Sequence, residues 1–320
     1  MNTVLDEKQD IHEMKLLSRE FFSIVPGIEK ASTVAEIDAT DLTEHVFKKD
    51  WVSKNRPILV KGAVKHWPAM KRWRDKNFWL SSFDNFKVDV FTHQNYNSPE
   101  RQAEGKEEMM FRDAIERLFQ NRDHIFSMPA KKITEKNQFA KLEEDTPGFP
   151  FLPSPEKPRI IPQRRLFIYR RAATAWHYHD IDETLMCQVK GSKKTAIFPP
   201  WVPQIEYLSK FFADELHLQG EALDKSLDLK PAIVDVNEGD ALYIPPYWHH
   251  GVVPNDGELG FTLAYCWPSP VHILGNFSNY FVRDLYKRKI WPLGKKRMFL
   301  PLIEAYAGLS YYMKKATGGA

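Results

Sequence analysis

The sequence predicts a mainly β domain with flanking helices, an α+β chain built on an antiparallel sandwich or barrel. Three observations carry this: strand-like segments follow closely from Arg165 to Trp267, Gly and Pro break them, and helical patterns lie on either side. Residues 1–50 read as helical and acidic-amphipathic, with Thr40 or Asp41 placed to cap a short helix. Arg56 to Gly62 is a buried-strand pattern closed by glycine, followed by Trp67-Pro68-Ala69 and Trp73. A strand is expected from Lys87 to His93 and a helix from Met110 to Asn121. Residues 131–162 are rich in Pro, Lys and Glu and read as a long loop within one domain, because the strands on both sides belong together.

Eight strands then follow in quick succession: Arg165 to Arg170, Thr174 to His179, Leu185 to Val189, Lys193 to Phe198, Ala232 to Val236, Ala241 to Ile244, Gly251 to Val253 and Phe261 to Trp267. A helical insertion occupies Val202 to Leu229, and helical patterns return from Ile273 to Tyr286 and from Met298 to Met313. The chain therefore divides into a β-rich region with N-terminal helical and strand elements, 1–270, and a C-terminal helical region, 271–320. The aromatic-rich terminal helices carry more apolar surface than a short helical pair hides, which makes them a candidate homodimer element.

With 43% hydrophobic residues and twelve Tyr, nine Trp and twenty-one Phe, the 320 residues fill a substantial core. Charge is nearly balanced, 45 basic against 42 acidic residues, which gives the whole molecule no strong reason to seek nucleic acid or membranes. A basic C-terminal segment, including Lys287-Arg288-Lys289 and Lys295-Lys296-Arg297, reads as a solvated helix face, with nucleic acid as the lesser alternative partner. Cys187 and Cys266 lie in apolar strand-like runs and read as reduced core residues. The first residues lack a signal-peptide pattern and no run reaches membrane-span length, so a cytoplasmic setting is expected.

Two segments carry the chemistry. Trp176-His177-Tyr178-His179-Asp180 and Tyr243 to His250 hold four of the eleven histidines. Successive side chains of a strand alternate, so His177 and His179 project from one face as an i, i+2 pair, and His249 or His250 supplies a third imidazole. A lone histidine is more often packed or solvated than a ligand, and His12, His45, His66, His93, His124, His217 and His272 are read that way. A His-x-His and a His-His at two strand ends point instead to a metal.

These residues, with Arg56 to Gly62, Thr174-x-x-His177-Tyr178, Gln188 to Lys194, Phe198-Pro199-Pro200 and Gly239-Asp240-x-Leu242-Tyr243-Ile244-Pro245-Pro246-x-Trp248-x-His250, resemble the JmjC and cupin-like Fe(II)/2-oxoglutarate-dependent oxygenases, small hydroxylase branch. The resemblance implies a double-stranded β-helix (cupin or jelly-roll) core, Fe(II) on its inner face, and 2-oxoglutarate as cosubstrate. It puts His177 and His250 at the metal, Thr174 and Lys193 on the cosubstrate carboxylate, and Thr184 and Tyr265 where the family carries asparagines near the cosubstrate.

One departure stands out. Where the family has His-x-Asp, the chain has His177-Tyr178-His179, and the segment to Gly191 is one residue longer than usual. Counting from Thr174 puts His179 in the Asp register, counting back from Gly191 puts Asp180 there, and Glu183 also fits a cupin metal pattern. Strand alternation favours His179, with Asp180 and Glu183 as alternatives. Three functions stay open: a 2-oxoglutarate-dependent hydroxylase of a peptide, protein or small molecule; a cupin dioxygenase or isomerase working without cosubstrate; and a barrel that binds without catalysing. Trp201, Trp248 and Trp267 are expected near the barrel mouth.

Overall fold

The computed structural model describes residues 18–92, 106–120, 125–133, 138–159, 161–213, 223–287 and 300–317. The helical reading of residues 1–17, His12, His93, His124 and His217, and the Lys295-Lys296-Arg297 cluster lie outside the described residues. Within them the strands are β1 (Ala35–Asp38), β2 (Ile58–Lys61), β3 (Lys87–Phe91), β4 (Lys106–Met110), β5 (Phe126–Ile133), β6 (Arg164–Arg170), β7 (Thr174–His177), β8 (Asp182–Lys190), β9 (Lys193–Phe198), β10 (Ala232–Val236), β11 (Ala241–Ile244), β12 (His249–Pro254) and β13 (Gly260–Pro268). The main helices are α1 (Lys76–Ser82), α2 (Phe111–Gln120), α3 (Ile205–Ala213), α4 (Tyr280–Leu285) and α5 (Leu300–Ala316).

The strands form two sheets, ordered β1-β2-β11-β8-β13-β6-β5-β3-β4 and β10-β9-β12-β7. Every pairing except the parallel β1–β2 is antiparallel, as the closely spaced strands predicted. Because side chains alternate, each strand feeds two different environments. On β8 and β13, Leu185, Cys187 and Leu263 enter the outer core of the large sheet, with Trp67, Trp73 and Trp79. Met186 from β8 joins Ile197, Ile244 and Val252 on the inner side, between the sheets. Phe198 and Ala196 pack outward from the small sheet against Phe21, Phe22 and Trp176.

Local chemistry explains the elements. α2 buries Phe111, Ala114, Ile115 and Leu118, an i, i+3, i+4, i+7 stripe, against the large sheet. Gly191 turns β8 into β9 at φ +75°, a conformation costly for other residues. A Cβ at Gly260 would lie 2.1 Å from the Tyr169 ring, so that pairing of β13 with β6 requires glycine.

Two expectations change. Residues 35–38 form a strand on the sheet edge, and Thr43 rather than Thr40 or Asp41 caps the short turn Glu44–Val46 by accepting from the Val46 N–H. The long loop expected between the strands is ordered where it is described: within residues 138–159, Phe139, Leu142, Phe149, Phe151 and Leu152 are buried. Fully buried Asp145 accepts from Trp73 Nε1 at 3.0 Å and pairs with Arg72, tying this strap to the tryptophan cluster. The C-terminal helices return to the same body: Ile273, Phe281, Val282 and Tyr286 pack on Tyr247 beside Tyr178.

Candidate metal centre and cavity

The tip between β11 and β12 delivers the third histidine. Tyr247 there adopts φ 69°, strained for a bulky residue, and its N–H donates to the His179 carbonyl at 2.7 Å. His250 is the register partner of His177. A bulge in β7 lies between Thr174 and His177, upstream of the pair, so it leaves the alternation from His177 to His179 intact.

A ring nitrogen of each of His177, His179 and His250 lies within 4.8 Å of the others, the arrangement a single ion needs. The rings are separated, centroid to centroid, by 4.2 Å (His177 and His250), 4.9 Å (His179 and His250) and 5.2 Å (His177 and His179). His177 Nδ1 bonds the Ala175 carbonyl at 2.7 Å and His250 Nδ1 the Trp248 carbonyl at 3.0 Å, which leaves each Nε2 for a ligand. His179 Nδ1 is buried without a hydrogen-bond partner. Burial holds all three rings below the usual histidine range, and neighbouring imidazoles push His179 and His250 further down, so the set is neutral and ready to ligate.

His249 faces the other way. It stacks on Phe198 at 4.9 Å and packs against Tyr178 and Phe281, and burial lowers its pKa to about 3. Asp180 is not in the cluster. Glu183, the other alternative, is also apart from it: it is fully buried on the outer face of β8, accepts from the Tyr243 hydroxyl, and burial pushes its pKa up to about 8.

The triad lines a cavity of about 270 Å³ together with Thr174, Thr184 and Lys193, so three of the four residues expected at the cosubstrate are brought to it. Lys193 is 3% exposed, lies 3.8 Å over the Tyr169 ring, and burial pushes its pKa down to about 7. The fourth is a correction. Tyr265 lies on the opposite face of β13, in the outer core against Phe149 and under the Arg164 guanidinium, because alternation aims its neighbour Ala264 into the cavity instead. Trp267 likewise packs on Tyr243 and Phe47 in that core and not at a mouth.

Several cavity residues were missed. Arg165 and Phe167 line it from β6, and Thr262 from β13. At the lysine end, Gln188 donates to the Tyr169 hydroxyl at 2.8 Å and accepts from Thr262 at 2.8 Å. The signal was present in Arg165-Leu166-Phe167-Ile168-Tyr169, where Leu166 and Ile168 enter the outer core and the odd positions face inward.

A sequence model of the Cupin-like domain matches residues 43–277. The chain belongs to the JmjC/cupin-like family. Jumonji C domain-containing protein 5 of Drosophila melanogaster is 25% identical over 248 residues, 73% of this chain and 59% of that protein. Human JMJD7, a bifunctional peptidase and (3S)-lysyl hydroxylase, is 26% identical over 276 residues, 68% of this chain and 80% of its own length. The psr-1 protein of Caenorhabditis elegans, a bifunctional arginine demethylase and lysyl-hydroxylase, is 21% identical over 295 residues, 80% and 69% of the two chains. The chain thus spans little more than half of some of its curated relatives. No described helix is long and apolar enough to cross a membrane.

Proposed function

We propose that this protein is an Fe(II)- and 2-oxoglutarate-dependent oxygenase that hydroxylates a peptide, protein or small-molecule substrate. One juxtaposition carries the reading: three neutral imidazoles and a buried lysine, with no carboxylate within ion-pair distance among the described residues, face one cavity. His177, His179 and His250 would hold the metal, leaving its other positions to small ligands, as an oxygen-activating site requires and a closed structural site does not. Fe(II), when bound, supplies the redox chemistry that couples dioxygen and cosubstrate consumption to C–H hydroxylation.

The chain's own residues do the positioning. Lys193 binds the far carboxylate of 2-oxoglutarate, and the ion pair returns the ammonium to its charged form in a site that otherwise disfavours it. Tyr169 supports the ammonium from below and is fixed in turn by Gln188 and Thr262. Thr174 and Thr184 offer hydroxyls to the cosubstrate, while Phe167, Met186, Ile244 and Val252 keep the cavity dry. Names of relatives such as the lysyl hydroxylase JMJD7 support a protein side chain as substrate class. The buried free thiols of Cys187 and Cys266 suit a reducing, cytoplasmic setting.

The direct test is uncoupled turnover. Purified protein with Fe(II), 2-oxoglutarate and oxygen is expected to yield succinate, and this yield is expected to vanish in His250→Ala. Metal-dependent oxygen consumption without succinate would instead favour a cosubstrate-free cupin enzyme, the reading that the histidine at position 179 supports.

The same proposal includes a homodimer through α5. Leu302, Tyr306, Leu309, Tyr312 and Met313 are more than half exposed there, beside a groove lined by Phe277, Tyr286 and Gly308. Ridge and groove on one face are what a two-fold contact between copies uses. Light scattering is expected to give a dimer mass for the native chain and a monomer for Leu309→Glu; a native monomer at micromolar concentration would rule the dimer out.

A further inference from the structure

Arg165 and Tyr169 lie four residues apart on β6 with their side chains on the same inner face, so they are separated by about 13 Å along the strand. Lys193 sits over Tyr169 at one end of this wall. Arg165 is at the other, opposite Ala264 in register, with a terminal nitrogen 3.5 Å from Cys266 Sγ. Its Nε is buried without an acceptor, and the guanidinium acts on the buried carboxylate of Asp182 through space, with no ion pair between them. Its charge reaches both His177 and His179.

Two consequences follow. A five-carbon diacid spans only about 5 Å between its carboxyl carbons, from carbon–carbon bonds of ~1.5 Å, so 2-oxoglutarate whose far carboxylate sits on Lys193 can offer at most its other carboxylate toward Arg165, a group with five N–H donors. The remaining donors of the guanidinium fork, the unpaired Nε among them, are left for whatever else enters. Secondly, a divalent metal held by three neutral imidazoles would receive no negative charge from the protein, where a carboxylate at position 179 would have supplied one unit. Both features repel a cation and attract an anion, and a guanidinium fork matches a carboxylate bidentately.

We propose that this cavity selects a substrate bearing a carboxylate near the carbon to be oxidised, and selects against lysine and arginine side chains. Arg165 is the residue that reads it. The assignment rests on the proposed oxygenase reading only in which carbon is oxidised; the charge selection is a property of the cavity wall. It departs from the lysyl and arginyl chemistry named in JMJD7 and psr-1.

The test is calorimetric titration of the full chain with two probes, N-acetylglutamate methylamide and N-acetyllysine methylamide. It is run anaerobically with Fe(II) and saturating 2-oxoglutarate, and again without either in a Lys193→Met background. The glutamate probe is expected to bind at least tenfold tighter than the lysine probe in both formats. Arg165→Gln should lose that preference, Arg165→Lys should keep part of it, and Arg165→Glu should invert it. Thermal melts establish that each variant is folded, and Arg165→Lys keeps the test decisive if the others are not. Equal or better binding of the lysine probe by the native chain overturns the proposal. So does glutamate binding that survives Arg165→Gln, or that disappears with Lys193→Met alone. If iron or 2-oxoglutarate fails to bind, the oxygenase reading falls while the metal-free titration still decides the charge selection.

Discussion

His177 and His250 are register partners across the β7–β12 pair, and each ring is pinned by the backbone carbonyl two residues before it in the chain. The two halves of the proposed metal site, more than seventy residues apart in sequence, are thus built by one local rule used twice. His250→Ala is expected to remove tight iron binding, since two imidazoles remain. His249→Ala is expected to keep stoichiometric metal and lower stability instead, by about 3 kcal/mol or more, the usual cost of removing a large buried aromatic side chain. Metal analysis together with denaturant unfolding separates the two; metal loss equal in both variants would contradict the assignment.

Glu183 gives a pH-dependent prediction. Its folded pKa, raised to about 8, exceeds the unfolded value, so the folded chain holds a proton the unfolded chain releases. The stability from that neutral acid is present below pH ~4.5 and is lost as pH rises toward 8. Glu183→Gln keeps a neutral hydrogen-bonding side chain at all pH values. Relative to the native chain it should gain stability as pH is raised from ~5 to ~8, by at most about 1.4 kcal/mol per pH unit. It should also retain metal. Unfolding curves across that range check the slope, and metal loss would put Glu183 back among the ligands.

The sheet face of β13 supplies a third. Ala264 lines the cavity, so Ala264→Leu is expected to fill it and weaken 2-oxoglutarate binding at least tenfold with little loss of stability. Tyr265→Ala, by contrast, should cost about 3–5 kcal/mol of stability through a hole in the outer core and leave 2-oxoglutarate affinity unchanged. Calorimetric titration of both variants reads the difference; reversed effects would mean that the strand faces have been assigned the wrong way round.

These cases mark what the sequence made legible. That His177, His179 and His250 come together could be read because alternation holds over two residues and the tip before β12 is short. Tyr265 was misplaced because motif counting carried a position across strands, whereas a single-residue offset moves a side chain to the other face. Arg165 went unseen because an arginine in a strand reads as solvent-facing until its register partner, Ala264, is known to point inward. The strap around Asp145 read as a loop because its prolines and charges hid a buried carboxylate whose partners, Arg72 and Trp73, are about seventy residues away. Long-range pairing of this kind has no local signature.

The central claim, that the triad and Lys193 bind iron and 2-oxoglutarate together, is tested most directly by anaerobic titration of the purified chain with Fe(II) and then 2-oxoglutarate. Formation of the visible metal-to-ligand charge-transfer band of the chelate is watched throughout. The band is expected in the native chain, to be absent from His250→Ala, and to require orders of magnitude more 2-oxoglutarate in Lys193→Met, because removing one partner of a buried charge pair costs several kcal/mol. Tight iron binding with no band at saturating 2-oxoglutarate, or a band whose midpoint is unmoved in Lys193→Met, would contradict the account.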